Sequence, residues 1–340
     1  SATAQFSTGI VSLFGAGGGF NAQGSAVASF SNGAQLIVTL GGVNIANAAQ
    51  LSLDASTANV SSSVVMQNAA HADINNRSVL SILGGGGWIL TDSSSATARN
   101  SQVSLVGGSV SLQVAAGLQL AGSTLSITTG GSLDSLFGTT FSAVNTSAVT
   151  IRGGGSVAAS GTVTLSDSSS LSVSGGIATF TDAISTFARS SRLTVSSGNA
   201  TYLASNPLHT SSLALSQASS LTITSGQLQL ITTATSLDAS SMSVTGGSIS
   251  LLSSSSLNLH NAARVTVAGG DFSATATAPS TIDGVSSITV SAGNVVWTDI
   301  GGMSISNASS ISVVGGNMVV GGSSAVSMST SAAILITMEA

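Results

Sequence analysis

The sequence predicts an all-β chain wound as a parallel β-solenoid, with three strands per coil, about 22 to 23 residues per coil and about 14 coils. Three observations carry that expectation. The composition disfavours helix, a short apolar phrase recurs along the chain, and a second column of turn-forming residues keeps step with the phrase.

The 340 residues include 71 Ser, 35 Thr and 40 Gly, whereas only 17 are charged: six Arg, ten Asp, Glu339 and no Lys. The straight-chain residues that stabilise exposed helices are therefore nearly missing, and the small and β-branched residues that weaken them dominate. Hydrophobic residues reach 42% and the mean hydropathy is +0.51, too apolar for a disordered linker. Apolar residues are interrupted by Ser, Gly or Asn every few positions, so no membrane span is expected. The chain has no Cys, which removes disulfides, thiolate metal sites and cysteine nucleophiles. It starts at Ser1 with no basic segment ahead of an apolar stretch, as expected of a processed product or an excised piece.

The recurring phrase appears as Leu171-Ser172-Val173-Ser174-Gly175-Gly176, Met242-Ser243-Val244-Thr245-Gly246-Gly247, Val265-Thr266-Val267-Ala268-Gly269-Gly270 and Ile311-Ser312-Val313-Val314-Gly315-Gly316. Six residues before its central apolar residue lies the second column: Asn32, Asp54, Asn76, Arg99, Ala121, Asn145, Asp167, Arg189, Gln217, Asp238, Asn261, Gly284 and Asn307. The steps run from 21 to 28 residues with a mean of about 22.9, in the range of tandem structural repeats. Each step holds three short alternating segments, such as Leu171 to Val173, Ile177 to Phe180 and Ile184 to Phe187, separated by Gly-Gly, Thr-Asp and Ala-Arg-Ser-Ser. The column, above all Asn32, Asp54, Asn76, Asn145, Asp167, Asp238, Asn261 and Asn307, is expected to mark a corner where one residue per coil adopts the left-handed conformation. Gly284 suits the same role.

Stacking explains the composition. Coils lie about 4.8 Å apart, so each residue meets its equivalent one rung away, and a file of like charges would repel along its length. Ser, Thr and Asn instead hydrogen-bond along the file. Asp167 and Arg189, one rung apart, are expected to pair.

Coils of 22 to 23 residues exceed the 18 of three hexapeptides, the left-handed version of the architecture. From about Gly33 to Met328 the pattern more closely resembles the right-handed parallel β-helix family seen in bacterial autotransporter passengers, filamentous adhesins and polysaccharide lyases. The resemblance is architectural and implies no particular activity. A single elongated domain, 1–340, is expected. One step is 28 residues long, which places a bulged loop near 205–211, around Ser205-Asn206-Pro207-Leu208-His209, because Pro cannot donate within a ladder. A second break is expected at Pro279.

The composition argues against several chemistries. Six scattered Arg cannot form the basic stripe of a nucleic-acid binder, and P-loop chemistry lacks its Lys. No two acidic residues are adjacent or separated by one, so the paired carboxylates of a glycan-cleaving β-helix have no counterpart, and single Asp residues such as Asp271, Asp283, Asp182 and Asp299 read as turn formers. His71, His209 and His260 fall in different coils, which disfavours a metal site. No G-x-S-x-G occurs, and the Gly15 to Gly19 and Gly84 to Gly87 runs read as corners. The expectation is a non-enzymatic protein with no cofactor, metal, nucleic acid or membrane span.

Five N-glycosylation triplets occur, at Asn59, Asn76, Asn145, Asn199 and Asn307, as many as composition alone yields. The column Ser81, Ser104, Ser126, Thr150, Ser172, Thr194, Thr222, Ser243, Thr266, Thr289 and Ser312 is expected to point outward as a hydroxyl file. Such files resemble those of ice-binding β-solenoids, an alternative function, although Leu83, Val106, Arg152 and Ala268 interrupt its neighbour column. The first thirty residues carry Phe6, Phe14, Phe20 and Phe30 and no charge, the last ten are again apolar apart from Thr337 and Glu339, and neither end offers an amphipathic capping helix. Uncapped coils invite another copy to stack head to tail, giving an extracellular, glycan-bearing fibre. A repeat segment of a larger cell-surface adhesin is the alternative.

Overall fold

The computed structural model describes residues 2–14, 19–206, 209, 211–329 and 331–337. The described strands form three parallel sheets, wound as a β-solenoid of about 14 turns, and no helix occurs among the described residues. The first face runs from Thr3–Phe6 to Val326–Met328, the second from Ile10–Phe14 to Ala333–Thr337 and the third from Phe20–Ala22 to Met318–Gly321. Successive strands of the chain fall on successive faces, so each strand is hydrogen-bonded to strands one coil away. By packing the chain divides into two compact units, Ser1–Thr164 with Ser169–Ser174, and Leu165–Ser168 with Gly175–Ala340.

In the N-terminal unit, inward residues form apolar files. On the second face Leu36, Ala58, Leu80, Val103 and Leu125 are buried at successive rungs, and Val38, Val60, Ile82, Leu105 and Ile127 run beside them. Trp88, Phe30 and Phe141 are the largest of the unit's fully buried side chains. Phe6 lies on Phe30 with ring centroids 4.8 Å apart and planes 18° from parallel. Each such burial is worth about 1.5 to 3 kcal/mol, and period-two alternation delivers it at every second residue.

The C-terminal unit repeats the scheme. Leu193, Leu221, Met242, Val265, Ile288 and Ile311 form one inward file, and Trp297, Phe272 and the stacked pair Phe180 and Tyr202, 4.3 Å apart, fill the interior. Ile177, which the alternation places at the start of an inward segment, is 52% exposed; the strand starts at Ala178 instead. The long step adds its residues between the strands Ala200–Leu203 and Ser211–Ser216, where the bulged loop was expected. Within that loop Pro207, Leu208 and Thr210 lie outside the described residues, as do Gly15 to Gly18 of the first glycine run. Pro279 sits immediately before the short strand Ser280–Ile282, at a position that needs no N–H donor.

The corner between the second and third faces is a glycine file. A Cβ on Gly108, Gly131 or Gly155 in one unit, or on Gly198, Gly226, Gly247, Gly270, Gly293 or Gly316 in the other, would collide with the carbonyl oxygen of the equivalent glycine one coil back. Backbone packs on backbone there, which explains the Gly-Gly ending of the sequence phrase. Replacing Gly247 by Ala is expected to destabilise by about 1 to 3 kcal/mol, the usual range for overpacking. Gly321→Ala, where a Cβ meets nothing within 4 Å, should change stability by less than about 0.5 kcal/mol. Denaturation of the two variants beside the parent checks the contrast.

Candidate assembly surface

The corner between the first and second faces comes in two lengths. In the longer form Asn32, Asn76, Asn145, Asp167, Asn261 and Asn307 have φ between 53° and 55°, and the next residue is left-handed as well, as in Arg77 at 65° and Ala308 at 58°. A hydrogen bond closes the turn, for example from Ser78 N to Asn75 O at 3.1 Å. Two positive φ values inside an i to i+3 bond define a tight mirror-image turn that Asn and Asp tolerate best.

Asp54 and Asp238 differ. Each is the last residue of a strand, in register with Asn75 and His260 respectively, and the left-handed residue is the following Ala55 or Ala239. Their corners are one residue shorter, so counting back six from the apolar residue lands one position early. Arg99 and Ala121 follow the same rule, with Asn100 and Gly122 left-handed. The two corner forms interlock: Asn76 Nδ2 donates to Asp54 Oδ1, and Asn261 Nδ2 donates to Asp238 Oδ1 at 2.6 Å. Arg189 pairs with Asp167 at 3.0 Å. That contact, with a hydrogen bond from Ser166, holds the Asp167 carboxyl below its ordinary pKa.

The residue that closes most of these corners is a buried serine, a feature the composition masks, whereas Ala34 and Ala263 close theirs. Ser56, Ser78, Ser101, Ser123, Ser147 and Ser169 in one unit, and Ser191, Ser219, Ser240, Ser286 and Ser309 in the other, are at most 5% exposed. The hydroxyls of Ser78, Ser123 and Ser147 donate to a carbonyl of the same corner, as Ser147 Oγ does to Val144 O, and accept from the backbone of a neighbouring coil, as from Ser123 N at 3.2 Å. Three glycosylation triplets follow from this grammar. Asn76-Arg77-Ser78, Asn145-Thr146-Ser147 and Asn307-Ala308-Ser309 each join a left-handed Asn to a buried Ser. These three Asn are exposed, as is Asn199, whose Oδ1 accepts from Gln227 N, whereas Asn59 is half-buried on a strand.

The outward hydroxyl file is in register through Ser81, Ser104, Ser126, Thr150 and Ser172, and again through Thr194, Thr222, Ser243, Thr266, Thr289 and Ser312. Every member is half-buried. Leu83 and Val106, 42% and 40% exposed, flank it.

Titratable groups meet in separate places. His71 contacts Asp73, His209 contacts Asp182 and His260 contacts Asp283. Among the described residues no three His, Cys, Asp or Glu converge as a metal site would require, and no helix is long and apolar enough to cross a membrane. Asp182 anchors the bulged loop: Ser205 N and Oγ donate to its two oxygens and the His209 ring lies 3.1 Å away. Burial pushes its carboxyl up, but these donors outweigh it and leave the pKa below the ordinary value.

The terminal coils carry the apolar surface. At the C-terminal end, Val320, Met328 and Ile336 stand in register with the fully or nearly fully buried Trp297, Ile305 and Val313, yet each is 46% exposed. At the N-terminal end the inward Phe6, Val11 and Leu13 are half-buried, and the outward Ile10 and Phe14 are 63% and 71% exposed. A ladder of side-chain acceptors climbs toward the C-terminal coil, from Asp271 Oδ1 to Asn294 N at 2.8 Å and from Asn294 Oδ1 to Asn317 N at 3.0 Å.

No family model matches the chain, and no curated protein or solved structure is significantly similar to it. Its function is therefore argued from these surfaces. One consequence concerns the loop. Because the Asp182 pKa is depressed in the folded state, the anchoring is present above the ordinary carboxylate pKa of about 3.9 and is lost as pH falls through the lowered value. The protection of the Ser205 amide against exchange, taken relative to its intrinsic rate at each pH, is expected to be high at neutral pH, to fall as pH drops through that value, and to be low throughout in Asp182→Ala.

Proposed function

We propose that the chain is a structural protein that builds an extracellular fibre, with β-solenoid copies stacked head to tail. The supporting observation is the exposure of Val320, Met328 and Ile336 at positions whose equivalents one coil earlier are buried. Together with Phe6, Val11 and Leu13 they offer two ends of one architecture, each with apolar files and unpaired strand edges among the described residues. A contact between unlike ends does not close on itself and propagates. The near-neutral surface, free of Lys, removes the charge that otherwise keeps strand edges apart. The resemblance to right-handed β-helix surface proteins points the same way. Asn145 and Asn307, exposed at corners, are the best-presented acceptors for glycan in such a fibre.

A segment of a longer adhesin-like passenger is the second reading. It is favoured by the register of Ala333–Thr337 on Ser310–Val314, which lets a further coil of the same chain cover Ile334 and Ile336 without change of geometry.

Electron microscopy separates the two. About fourteen coils at about 4.8 Å predict fibres with an axial repeat near 65 to 70 Å, appearing above a threshold concentration. Ile336→Asp places a charge in the open file and is expected to raise that threshold at least about tenfold, or about 1.4 kcal/mol. Wild-type protein that stays dispersed at every concentration overturns the fibre and supports the longer passenger.

A further inference from the structure

On the first face of the N-terminal unit, one of the three histidines bridges a hydroxyl and a carboxylate. His71 opens the strand His71–Asn75 and points outward, as does Asp73 two residues on, and Ser95 is the direct cross-strand partner of His71 one coil away. The His71 ring is 2.7 Å from Ser95 Oγ through Nδ1 and 3.1 Å from Asp73 Oδ2 through Nε2. Arg99 Nη1 donates to Asp73 Oδ1 at 3.1 Å, which fixes the carboxylate.

The geometry sets the tautomer. A carboxylate only accepts, so the neutral ring must carry its proton on Nε2, and the Nδ1 lone pair then faces the Ser95 hydroxyl. That is the arrangement of a nucleophile, a general base and an orienting carboxylate. Beside Ser95 lies a groove of about 310 Å³, lined by Ser95, Thr97, Gly117, Gln119, Thr140 and Ser142. Gly117 is the register partner of Ser95 on the following coil and lines the same groove.

We propose that Ser95 is an activated nucleophile that cleaves carboxylic esters bound in this groove, an activity beyond the fibre and independent of it. Ser95 Oγ bonds to the acyl carbon as its proton passes to His71 Nδ1. The ester C–O bond breaks and the alcohol leaves with that proton. Water then adds its hydroxyl to the acyl carbon and its proton to Ser95 through His71, which releases the carboxylic acid. The backbone N–H groups of Ser95 and Gly117 are held in the ladder by Ala70 O and Ser94 O at 3.0 Å each. The developing oxyanion therefore takes its hydrogen bonds from the Thr97 hydroxyl and the Gln119 amide. Asp73 and Arg99 are positioning residues.

A fluorophosphonate probe tests the proposal on the whole chain: the Ser95 oxygen bonds to phosphorus, fluoride leaves, and the proton goes to His71. Peptide mapping is expected to place the adduct on Ser95, within the tryptic fragment 78–99, and no comparable adduct on Ser172 of the outward file. His71→Ala should slow labelling at least about 100-fold. Asp73→Asn should slow it and change the pH profile. Gln50, Ser52, Ser95 and Thr97 face His71 and Asp73 from the adjoining strands, and Asp54, Asp73 and Arg99 are the Asp and Arg side chains of these three strands that bear on that profile. Equal labelling of Ser95 and Ser172, no labelling of wild type, or an unchanged rate in a folded His71→Ala would overturn the assignment; the wild-type adduct map decides by itself if the variants fail to fold.

Discussion

Adjacent coils within each unit lie one strand spacing apart, about 4.8 Å, so a side chain has the residue at the same position of the next coil as its nearest neighbour. Apolar residues gain from that rule, because Leu36, Ala58, Leu80 and Val103 pack into an unbroken file. Hydroxyls and amides gain too, since each donates and accepts along the stack, as the buried serines do between Ser101 N and Ser123 Oγ. Charges lose, and the chain carries 17 in 340 residues. Two of the Arg side chains reach an Asp across a rung, Arg189 on Asp167 and Arg99 on Asp73.

The same rule makes the corners specific. A glycine in the corner between the second and third faces leaves its carbonyl where the next coil needs space, so a Cβ is excluded over run after run of coils. At the other main corner the turn can be long or short because the loss of one residue is absorbed in the turn, and the strands on either side keep their register. In the short form a left-handed Ala55 or Ala239 accepts a conformation that costs a non-glycine residue about 1 to 2 kcal/mol. Backbone bonds to the next coil, such as Ala239 N to His260 O at 3.1 Å, offset it.

Much of the fold is legible in the sequence because stacking imposes period two along a strand and one repeat per coil. The apolar phrases, the Gly-Gly corner, the outward hydroxyl column and the Asp167–Arg189 pair can all be placed by counting. What counting misses is the one-residue difference between corners, which hides Ala55 and Ala239 behind Asp54 and Asp238. The buried serines are hidden for another reason: in a chain with 71 Ser, those that close corners look like those that face water. The exposed ends are legible only in part. Sequence shows that residues near both termini are apolar, but only register shows that Val320, Met328 and Ile336 occupy inward files.

The group around His71 is illegible in one dimension, since His71 and Ser95 are 24 residues apart while the local steps of the turn column are 22 and 23. It is also what the stacking rule least favours, because a relay needs unlike side chains in contact. The fold obtains them by breaking its files. Along one column Gln50, His71, Ser95, Gly117 and Thr140 succeed one another, and along the next Ser52, Asp73, Thr97, Gln119 and Ser142. No two neighbours in either run are alike. Asp73, without an equivalent carboxylate above or below, meets no like charge, and Arg99 approaches it from the following coil. Gly117, in a strand position where glycine is otherwise unfavourable, stands in register with Ser95 on the side away from His71. Variation within a file, rather than any single residue type, is therefore the feature by which a reactive centre can be sought on a solenoid of this composition.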